Sequence, residues 1–325
     1  MKKILLATIA LLSVSAFVVL AVFFVTHPNS PTSGNGERND DSPRSTQLTI
    51  VASLFPQFDY ARRIAGDKAD VFLLLPPGVD SHSFEPTPSD VAKVYDADIF
   101  IYTGQYMEPW AQTIVESVKN DTLGVLDASS GIHLLREDDH EHESHGHHDH
   151  GYDPHFWLDP TLAIKMIENI EETISERDPQ NADFYRENAK KCIEELEELD
   201  KDFMRAILDG KQTTLVFGGR FAYRYFMERY GLKYITTYRC CGAEAEPSVR
   251  DVTRAIDFIK SNDIPCVYHE ELSDPRVARS IAEATGASLK LFRTGHNITK
   301  DELEQGVTFI DIMRENLENV RFGLD

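Results

Sequence analysis

The segment Arg136–Pro160, REDDHEHESHGHHDHGYDPHFWLDP, contains two different kinds of histidine-bearing sequence. Its first part is acidic and has no apolar periodicity, which predicts a solvated loop over residues 137–150. Imidazole is a common zinc ligand, and neighbouring carboxylates raise the local concentration of cations. We therefore expect this loop to be an auxiliary metal-binding segment, with a solubilising acidic loop as the alternative. The histidines concerned are His140, His142, His145, His147, His148 and His150.

The second part of the segment is the compact sequence DPHFWLDP, residues 153–160, centred on His155. Pro154 and Pro160 restrict the backbone, and Phe156 and Trp157 are apolar residues that can anchor it in a core. A histidine held in this way is suited to be a fixed metal ligand. It is equally suited to be a hydrogen-bonded structural residue, and both interpretations remain open from this segment alone.

Length and charge limit the class of protein. A chain of 325 residues has room for two ordinary domains, and a hydrophobic content of 42% is typical of a packed globular protein. The formal net charge of −21 argues against a nucleic-acid partner, which requires a basic face. The same charge is compatible with a cation as ligand.

The N-terminal sequence predicts export from the cytoplasm. Lys2 and Lys3 precede Ile4–Val25, which carries no charge and is long enough to span a bilayer. Because the lysines should stay in the cytoplasm, the rest of the chain should lie outside. We expect residues 1–26 to be a signal anchor, or else a cleaved signal peptide that would make the protein secreted. No cysteine lies near the end of this segment, so the sequence does not support a lipid anchor. Residues 27–47 predict a flexible tether, because they are rich in Pro, Ser, Asn, Asp and Gly.

The remaining chain alternates short apolar runs with helical patterns, which predicts βα units and mainly parallel sheets. We expect an N-terminal α/β lobe over residues 48–160, a helical linker over 161–210, and a C-terminal α/β lobe over 211–325. The linker contains Ala182–Leu208, which has no Gly or Pro and predicts one long helix. The predicted fold class is therefore α/β, with two lobes joined by a long rigid helix and a ligand cleft between them. Helix starts are predicted at Ser89, Ser248, Ser273 and Thr299.

Several predicted strands are followed directly by histidine, arginine or carboxylate residues. Because the carboxyl ends of parallel strands form the ligand-binding edge of such folds, these side chains should reach the cleft. Each alone could be an ordinary polar loop residue, but together they favour one shared metal site. The residues are His82, Arg220, Glu244, Glu246, His269, Glu270, Glu271, Arg293 and His296.

The four cysteines have no spacing typical of a metal site. Cys192 lies in a helical pattern and should be a small core residue. Cys240 or Cys241 could pair with Cys266 in an oxidising compartment, and the sequence leaves the pairing open.

Five motifs resemble the zinc/manganese solute-binding proteins of bacterial ABC importers. PPGVDSHSFEPTPSD (76–90) and DPHFWLDP (153–160) resemble the first two ligand motifs of that family, and the His-rich loop resembles the insert of its zinc-type members. FAYRYFMERYGL (221–232), AEAEPSVRDV (243–252) and IAEATGA (281–287) resemble later segments. The resemblance covers the chain from about Leu48 to its end. It implies two α/β lobes joined by a long helix, with a metal site between them that has His82 and His155 as ligands.

The chain departs from the family pattern at the other ligand positions. The resemblance implies a third histidine where Arg220 stands and a final acidic ligand near Arg293, and neither arginine can bind a cation. We expect His296 to replace a missing ligand and Glu270 to complete the set, as a carboxylate position used by some members. Arg220 should then be an ion-pair partner of Glu244 or Glu270.

The predicted function is capture of Zn²⁺ outside the cytoplasm and its delivery to the permease of an ABC importer, without catalysis. Zn²⁺ is preferred over Mn²⁺ because the candidate ligands are mainly imidazoles. A surface adhesin or zinc reservoir is the alternative. A zinc hydrolase is a weaker one, because it needs an open coordination position and a general base, and the sequence has no H-E-x-x-H motif. The predicted partners are a divalent metal ion, the permease and, through the N-terminal segment, the membrane, but no nucleic acid.

Overall fold

The first lobe is built on a four-stranded parallel sheet. The computed structural model describes residues 47–118, 120–136, 151–238 and 247–325. The strands lie in the order β2-β1-β3-β4, and every neighbouring pair is parallel, so their carboxyl ends share one edge. The elements of this lobe are β1 (Leu48–Ala52), α1 (Phe55–Ala65), β2 (Ala69–Leu73), α2 (Pro88–Asp96), β3 (Ile99–Tyr102), α3 (Pro109–Ser117) and β4 (Gly124–Asp127).

Alternate side chains of these strands enter two different cores. Ile50 and Ile101 pack with α1 on one face, while Val51 and Phe100 pack with α2 and α3 on the other. Helices therefore cover both faces of the sheet, which explains why its central strands are apolar at consecutive positions.

Two long antiparallel helices follow the first lobe. α4 (Pro160–Arg177) packs against α5 (Ala182–Asp209), whose 28 residues extend about 42 Å at 1.5 Å per residue. The buried residues of α5 recur every three or four positions and form one apolar stripe. The stripe consists of Tyr185, Ala189, Cys192, Leu196, Leu199, Phe203 and Ala206. Because α5 contacts α1 and α4 at one side and the last helix of the chain at another, it joins the lobes as a packed element.

The second lobe repeats the topology of the first. Its strands lie in the order β6-β5-β7-β8 and are all parallel. The last two helices of this lobe begin with Thr capping boxes, Thr299–Glu302 and Thr308–Asp311. The elements are β5 (Thr214–Phe217), α6 (Arg224–Tyr230), β6 (Lys233–Thr236), α7 (Val249–Asn262), β7 (Cys266–His269), α8 (Arg276–Thr285), β8 (Ser288–Leu291), α9 (Lys300–Gln305) and α10 (Phe309–Leu324).

The predicted fold class is confirmed. Two parallel four-stranded sheets flanked by helices are joined by a long helix, and residues 45–325 form one compact unit. The domain boundaries proposed at 160/161 and 210/211 stay predictions. Residues 1–46, with the signal segment and most of the tether, and the His-rich loop 137–150 lie outside the described residues, as do Cys240, Cys241, Glu244 and Glu246.

Several local predictions need correction. α2 is capped by Thr87 and not by Ser89, because Pro88 takes the first helical position and the Thr87 hydroxyl accepts from the Asp90 amide. Ser273 caps no helix, since its hydroxyl donates to Glu270 at 2.7 Å and α8 begins at Arg276. The Ser248 cap is present, with its hydroxyl accepting from the Asp251 amide.

The end of the chain also differs from the prediction. Thr299 caps only the six-residue α9, which stops at Gly306, and the final helix α10 begins anew after Thr308. Cys192 is a buried free thiol, as predicted, and Cys266 is free as well, at the start of the central strand β7. Within the ranges that the structure describes, no helix has the length and apolar character needed to cross a membrane.

Candidate metal centre

Three histidines from different parts of the chain meet between the lobes. One potential ligand atom from each of His82, His155 and His296 lies within 4.8 Å of those of the other two. Their ring centroids are separated by 5.7 Å (His82–His155), 5.1 Å (His82–His296) and 4.9 Å (His155–His296). Of the described residues, no other set of His, Cys, Asp or Glu forms such a group of three.

His82 is held on the loop that follows β2. The Asp80 carboxylate accepts a 2.9 Å hydrogen bond from the His82 amide and starts the short 3₁₀ turn Ser81–Ser83. The loop is fastened to the second lobe by Asn297, whose side-chain amide donates to the carbonyls of Pro76 (2.7 Å) and Val79 (2.9 Å). The Nε2 atom of His82 is buried and has no hydrogen-bond partner in the described part of the chain.

His155 lies just before α4 and is only 1% exposed. The Asp153 carboxylate accepts from its amide at 3.0 Å and contacts its Nδ1 at 2.6 Å. Because an ionised carboxylate only accepts, Nδ1 carries the proton and Nε2 presents its lone pair toward the other histidines. The Asp153 carbonyl in turn accepts from the Tyr225 hydroxyl at 2.7 Å, which fixes this turn to the second lobe.

His296 follows β8 and is oriented by a chain of two further residues. The Glu271 carboxylate accepts from the Thr294 amide and hydroxyl, both at 2.7 Å. Since the Thr294 hydroxyl donates its one proton to Glu271, it accepts from Nδ1 of His296, and Nε2 is then available to bind a metal ion. That Nε2 is buried without a hydrogen-bond partner among the described residues.

Electrostatics keep His296 neutral. Burial lowers its pKa well below the ordinary histidine value, and repulsion from His155, His82 and Arg220 lowers the pKa further. Burial also raises the pKa of Glu271, against the opposing effect of its hydrogen bonds to Thr294. The neutral imidazole is the form that binds a metal ion.

Arg220 lies beside this group and contacts two carboxylates. Its Nη1 is 2.9 Å from Asp80 Oδ2, and its Nε is 3.7 Å from Glu270 Oε1. The expected contact of Arg220 with Glu270 is therefore present, and Asp80, which the sequence did not single out, is the nearer partner. Glu270 lies outside the three-histidine group, so its predicted role as a ligand stays a prediction.

Two other residues predicted at strand ends, Arg293 and His269, make their contacts outside the histidine group. Arg293 binds Glu302 through two contacts of 2.7 and 3.2 Å and reaches Glu315 at 3.4 Å. His269 contacts the carbonyl of Glu270 through Nδ1 at 2.8 Å and is not part of the histidine group. A cavity of about 40 Å³ opens beside His82 and His296 and is also lined by Arg220, Glu270 and Asp80, which is room for an ion or a water molecule.

Comparison with known families gives one match that spans most of the chain. Residues 50–322 match the family described as ZnuA, zinc-uptake complex component A periplasmic. The chain belongs to this family. The ZnuA family consists of solute-binding proteins and not of enzymes, so the zinc hydrolase interpretation is rejected, and the resemblance inferred from the motifs is confirmed.

Two curated relatives show how far the likeness extends. The high-affinity zinc uptake system protein ZnuA of Bacillus subtilis (strain 168) is 33% identical over 314 residues, which cover 95% of this chain and 96% of that protein. The zinc-binding protein AdcA of Streptococcus pyogenes serotype M1 is 30% identical over 292 residues. That match covers 86% of this chain but 56% of AdcA, so the chain spans about half of that relative.

Solved structures share the fold of the ZnuA family. The Zn(II)-bound ZnuA-like domain of Streptococcus pneumoniae AdcA has a TM-score of 0.72 at 28% identity, covering 86% of this chain and 99% of that one. The laminin-binding protein Lmb of Streptococcus agalactiae, described as bifunctional with adhesin and metal transporting activity, has a TM-score of 0.73 at 29% identity. The match covers 86% of this chain and 100% of the Lmb chain.

Proposed function

We propose that this chain is an extracytoplasmic solute-binding protein that captures Zn²⁺ between its lobes and delivers it to the permease of an ABC importer. The observation that carries the proposal is the group formed by His82, His155 and His296, whose ligand atoms lie within 4.8 Å of one another. The rings of His155 and His296 are hydrogen-bonded through Nδ1 to Asp153 and Thr294, and the backbone amide of His82 donates to Asp80. This arrangement supports a site that exists before the ion arrives.

Zinc is the ion that such a site favours. Imidazole nitrogens suit Zn²⁺, whereas Mn²⁺ prefers carboxylate and water oxygens. The ion would draw the three Nε2 atoms to about 2.0–2.1 Å and keep one open position for a fourth ligand. The names of the B. subtilis and S. pyogenes relatives and the Zn(II)-bound AdcA domain support the same metal.

The partners follow from the ZnuA family and from the N-terminal sequence. The permease of a zinc importer is the partner to which the loaded protein would dock. Residues 1–26 would act as a signal anchor or a cleaved signal peptide, and residues 27–47 as a tether that lets the lobes reach the permease. The lobe boundaries proposed from the sequence belong to the same proposal.

A second candidate function is that of a surface adhesin or zinc reservoir. It is favoured by the likeness to Lmb, which is described as having adhesin activity. Normal zinc uptake in a strain that lacks this protein would support the second candidate, whereas a growth defect that added zinc corrects would support the first.

The binding site is tested by exchanging two histidines of the same lobe. His296→Ala removes a proposed ligand, and His269→Ala is the matched control, because it also follows a strand of the second lobe but lies outside the group. We expect His296→Ala to weaken zinc affinity at the tightest site by more than about 100-fold. Mutation of a residue that only hydrogen-bonds to a metal ligand already lowers metal affinity by about 10–100-fold. His269→Ala should stay within about threefold of the wild type.

The measurement is competition for zinc with a chelator of known affinity, which reports the tightest site separately from weaker ones. His82→Ala and His155→Ala should behave like His296→Ala. Equal, small effects of His296→Ala and His269→Ala would contradict the proposed ligand set.

A further inference from the structure

Arg220 lies beside the histidine group and contacts two carboxylates. It comes from the second lobe, yet it binds Asp80 of the first lobe at 2.9 Å and contacts Glu270 of its own lobe at 3.7 Å. All three residues line the same small cavity as His82 and His296. A fixed positive charge is therefore paired with the carboxylates that could otherwise join the imidazoles as oxygen ligands.

We propose that Arg220 determines the metal selectivity of this site by holding the Asp80 and Glu270 carboxylates away from the bound ion. The inference rests on the proposed function and deepens it, because it names the residue that makes the ligand set all-imidazole. Arg220 is a positioning residue that acts through the two carboxylates and does not touch the metal.

Both carboxylates are placed so that they would be effective ligands without Arg220. Glu270 Oε1 accepts from Ser273 and faces Arg220, but Oε2 is buried with no hydrogen-bond partner among the described residues. A Cβ atom at position 219 would lie 1.8 Å from this oxygen, so only glycine leaves room there for the Glu270 carboxylate. A buried carboxylate oxygen without a donor gains most from meeting a cation.

The two carboxylate oxygens of Asp80 have different partners. Its Oδ1 accepts from the His82 amide at 2.9 Å, while its Oδ2 binds Arg220. Arg220 thus binds Oδ2, the oxygen that does not accept from the His82 amide. Arginine keeps its charge at every physiological pH and offers several donors in a fixed plane, which suits it to engage two carboxylates at once.

The chemistry of the ions turns this arrangement into selectivity. Mn²⁺ binds through hard oxygen ligands and gains little from three imidazoles alone, whereas Zn²⁺ is satisfied by nitrogen. Engaging both carboxylates with Arg220 therefore costs Mn²⁺ affinity more than Zn²⁺ affinity. A purely structural tie between the lobes would instead change stability and leave the ratio of the two affinities unchanged.

The experiment compares zinc and manganese affinities of the full chain with the six loop histidines replaced by alanine, so that the loop does not contribute. In this background Arg220→Gln should tighten Mn²⁺ binding at least tenfold and lower the preference for zinc by a similar factor. The triple variant Arg220→Gln, Asp80→Asn, Glu270→Gln should lose that gain. Asparagine at position 80 keeps the oxygen that caps His82, so the ligand turn is preserved.

Two further readouts separate selectivity from structure. The absorption spectrum of bound Co²⁺ should change in Arg220→Gln, because oxygen ligands join the ion, and should revert in the triple variant. The melting temperature of the metal-free proteins shows whether each variant is folded. A large loss of zinc affinity in Glu270→Gln alone would make Glu270 a ligand in the wild type and overturn the inference.

An unchanged zinc-to-manganese ratio in Arg220→Gln would overturn the inference, as would a gain in Mn²⁺ affinity that persists in the triple variant. Failure of the proposed function looks different. In that case the chain with Arg220 intact would bind no zinc at the histidine group, and His296→Ala would change nothing.

Discussion

Glu108 places a carboxyl group in the interior of the first lobe, at the carboxyl edge of β1 and β3, and is only 1% exposed. Burial raises its pKa to about 7, although hydrogen bonds from Ser53, Thr103 and Gly104 lower the pKa in part. The donors are the hydroxyls of Ser53 and Thr103 and the amides of Thr103 and Gly104. This group is the one whose protonation should couple most directly to the stability of that lobe.

The stability of the metal-free protein should fall as pH rises toward neutrality because of Glu108. Its pKa is about 7 in the folded chain, whereas the ordinary value of a glutamate is 4.5, so between these pH values the folded state binds a proton that the unfolded state has released. The contribution of Glu108 to the free energy of unfolding is fully present below about pH 4.5 and is lost as pH rises through 7. It amounts to at most roughly 3 kcal/mol. Urea unfolding between pH 5 and 8, with a chelator present, measures it.

The matched variant is Glu108→Gln, which resembles the protonated acid. Its carbonyl can face the two amides, and its NH₂ can face the hydroxyls of Ser53 and Thr103, which are able to accept. We expect this part of the pH dependence to disappear in the variant. The same slope in both proteins would show that another group is responsible.

The members of the histidine group could be predicted from the sequence better than the residues that orient them. His82 and His296 each follow a predicted strand, and His155 is the centre of a compact motif, and both are signals that a single sequence can carry. Asp80, Asp153 and Thr294 were not predicted as their partners, yet each stands two residues before its histidine and hydrogen-bonds to it. This spacing is that of Asx and Ser/Thr turns, so the signal was present in the sequence.

The contact of Arg220 with Asp80 belongs to a different class. The two residues are 140 positions apart and come from different lobes. No local pattern encodes such a contact, because it depends on how the lobes pack. The charge of Arg220 predicted a carboxylate partner, but only the fold could identify which one.

At the scale of elements, the long helix α5 is attached to the second lobe by Asp200. Its carboxylate accepts from Arg229 through two bonds of 3.0 and 2.6 Å and from the Tyr230 hydroxyl at 2.9 Å. Asp200→Ala leaves a partly buried guanidinium without this partner, which should lower the free energy of unfolding by about 2 kcal/mol. Zinc affinity should not change, because Asp200 lies outside the histidine group.

Asp202→Ala is the control on the same helix. It removes an exposed pair with Arg205, whose side chain is 68% exposed, and exposed pairs contribute about 0.2–1 kcal/mol. Both variants exchange Asp for Ala inside α5, so helix propensity changes equally. Equal losses in urea unfolding would mean that the contact between α5 and α6 contributes nothing specific.

Elements with strong periodicity were predicted well, and their ends less well. The long helix, predicted over Ala182–Leu208, was placed to within a residue, because its apolar stripe continues for many turns. α3 was not predicted, since it buries only Ala111 and Ile114 and so has a weak apolar pattern. Thr87 and Ser89 lie on either side of Pro88, and both are residue types that cap helices. Because Pro88 takes the first helical position, Thr87 is the cap.

At the scale of the whole molecule, the site is held together by contacts between distant segments. The Gly78 amide donates to the Ile298 carbonyl at 2.8 Å, and the Phe55 amide donates to the His296 carbonyl at 3.1 Å. The rule that ligands bind at the carboxyl edge of parallel sheets predicted the place of the site. The separation of the three imidazoles follows from these tertiary contacts, which no run of sequence contains.

The base of the His-rich loop is fixed beside His155. Arg136 and Tyr152 form an antiparallel bridge, and the Asp153 amide donates to the Leu135 carbonyl at 2.8 Å. The Tyr225 hydroxyl binds both strands of this base, accepting from Leu135 at 2.9 Å and donating to Asp153 at 2.7 Å. The loop can therefore be shortened at a defined place without removing the support of His155.

Replacing Asp138–His150 by Asn-Gly should leave the tightest zinc site unchanged within about threefold and remove weaker ones. Asn-Gly is the preferred dipeptide for a two-residue turn between antiparallel strands, so the base should close. The sequence predicts a solvated loop here, and ligands on such a loop lose conformational freedom on binding, at roughly 1–2 kcal/mol for each residue fixed, whereas the three histidines of the central group lie on packed segments. Chelator competition reports the tight site, and metal analysis at excess zinc reports the total bound.

The chain with the six loop histidines replaced by alanine is the matched control, because it keeps the length and the carboxylates of the loop. If imidazoles carry the weak binding, this control should lose it as completely as the shortened chain does. If carboxylates carry it, the control should keep it, and the shortened chain alone should lose it. Loss of the tight site in both proteins would show that the loop, and not the group between the lobes, supplies the primary ligands.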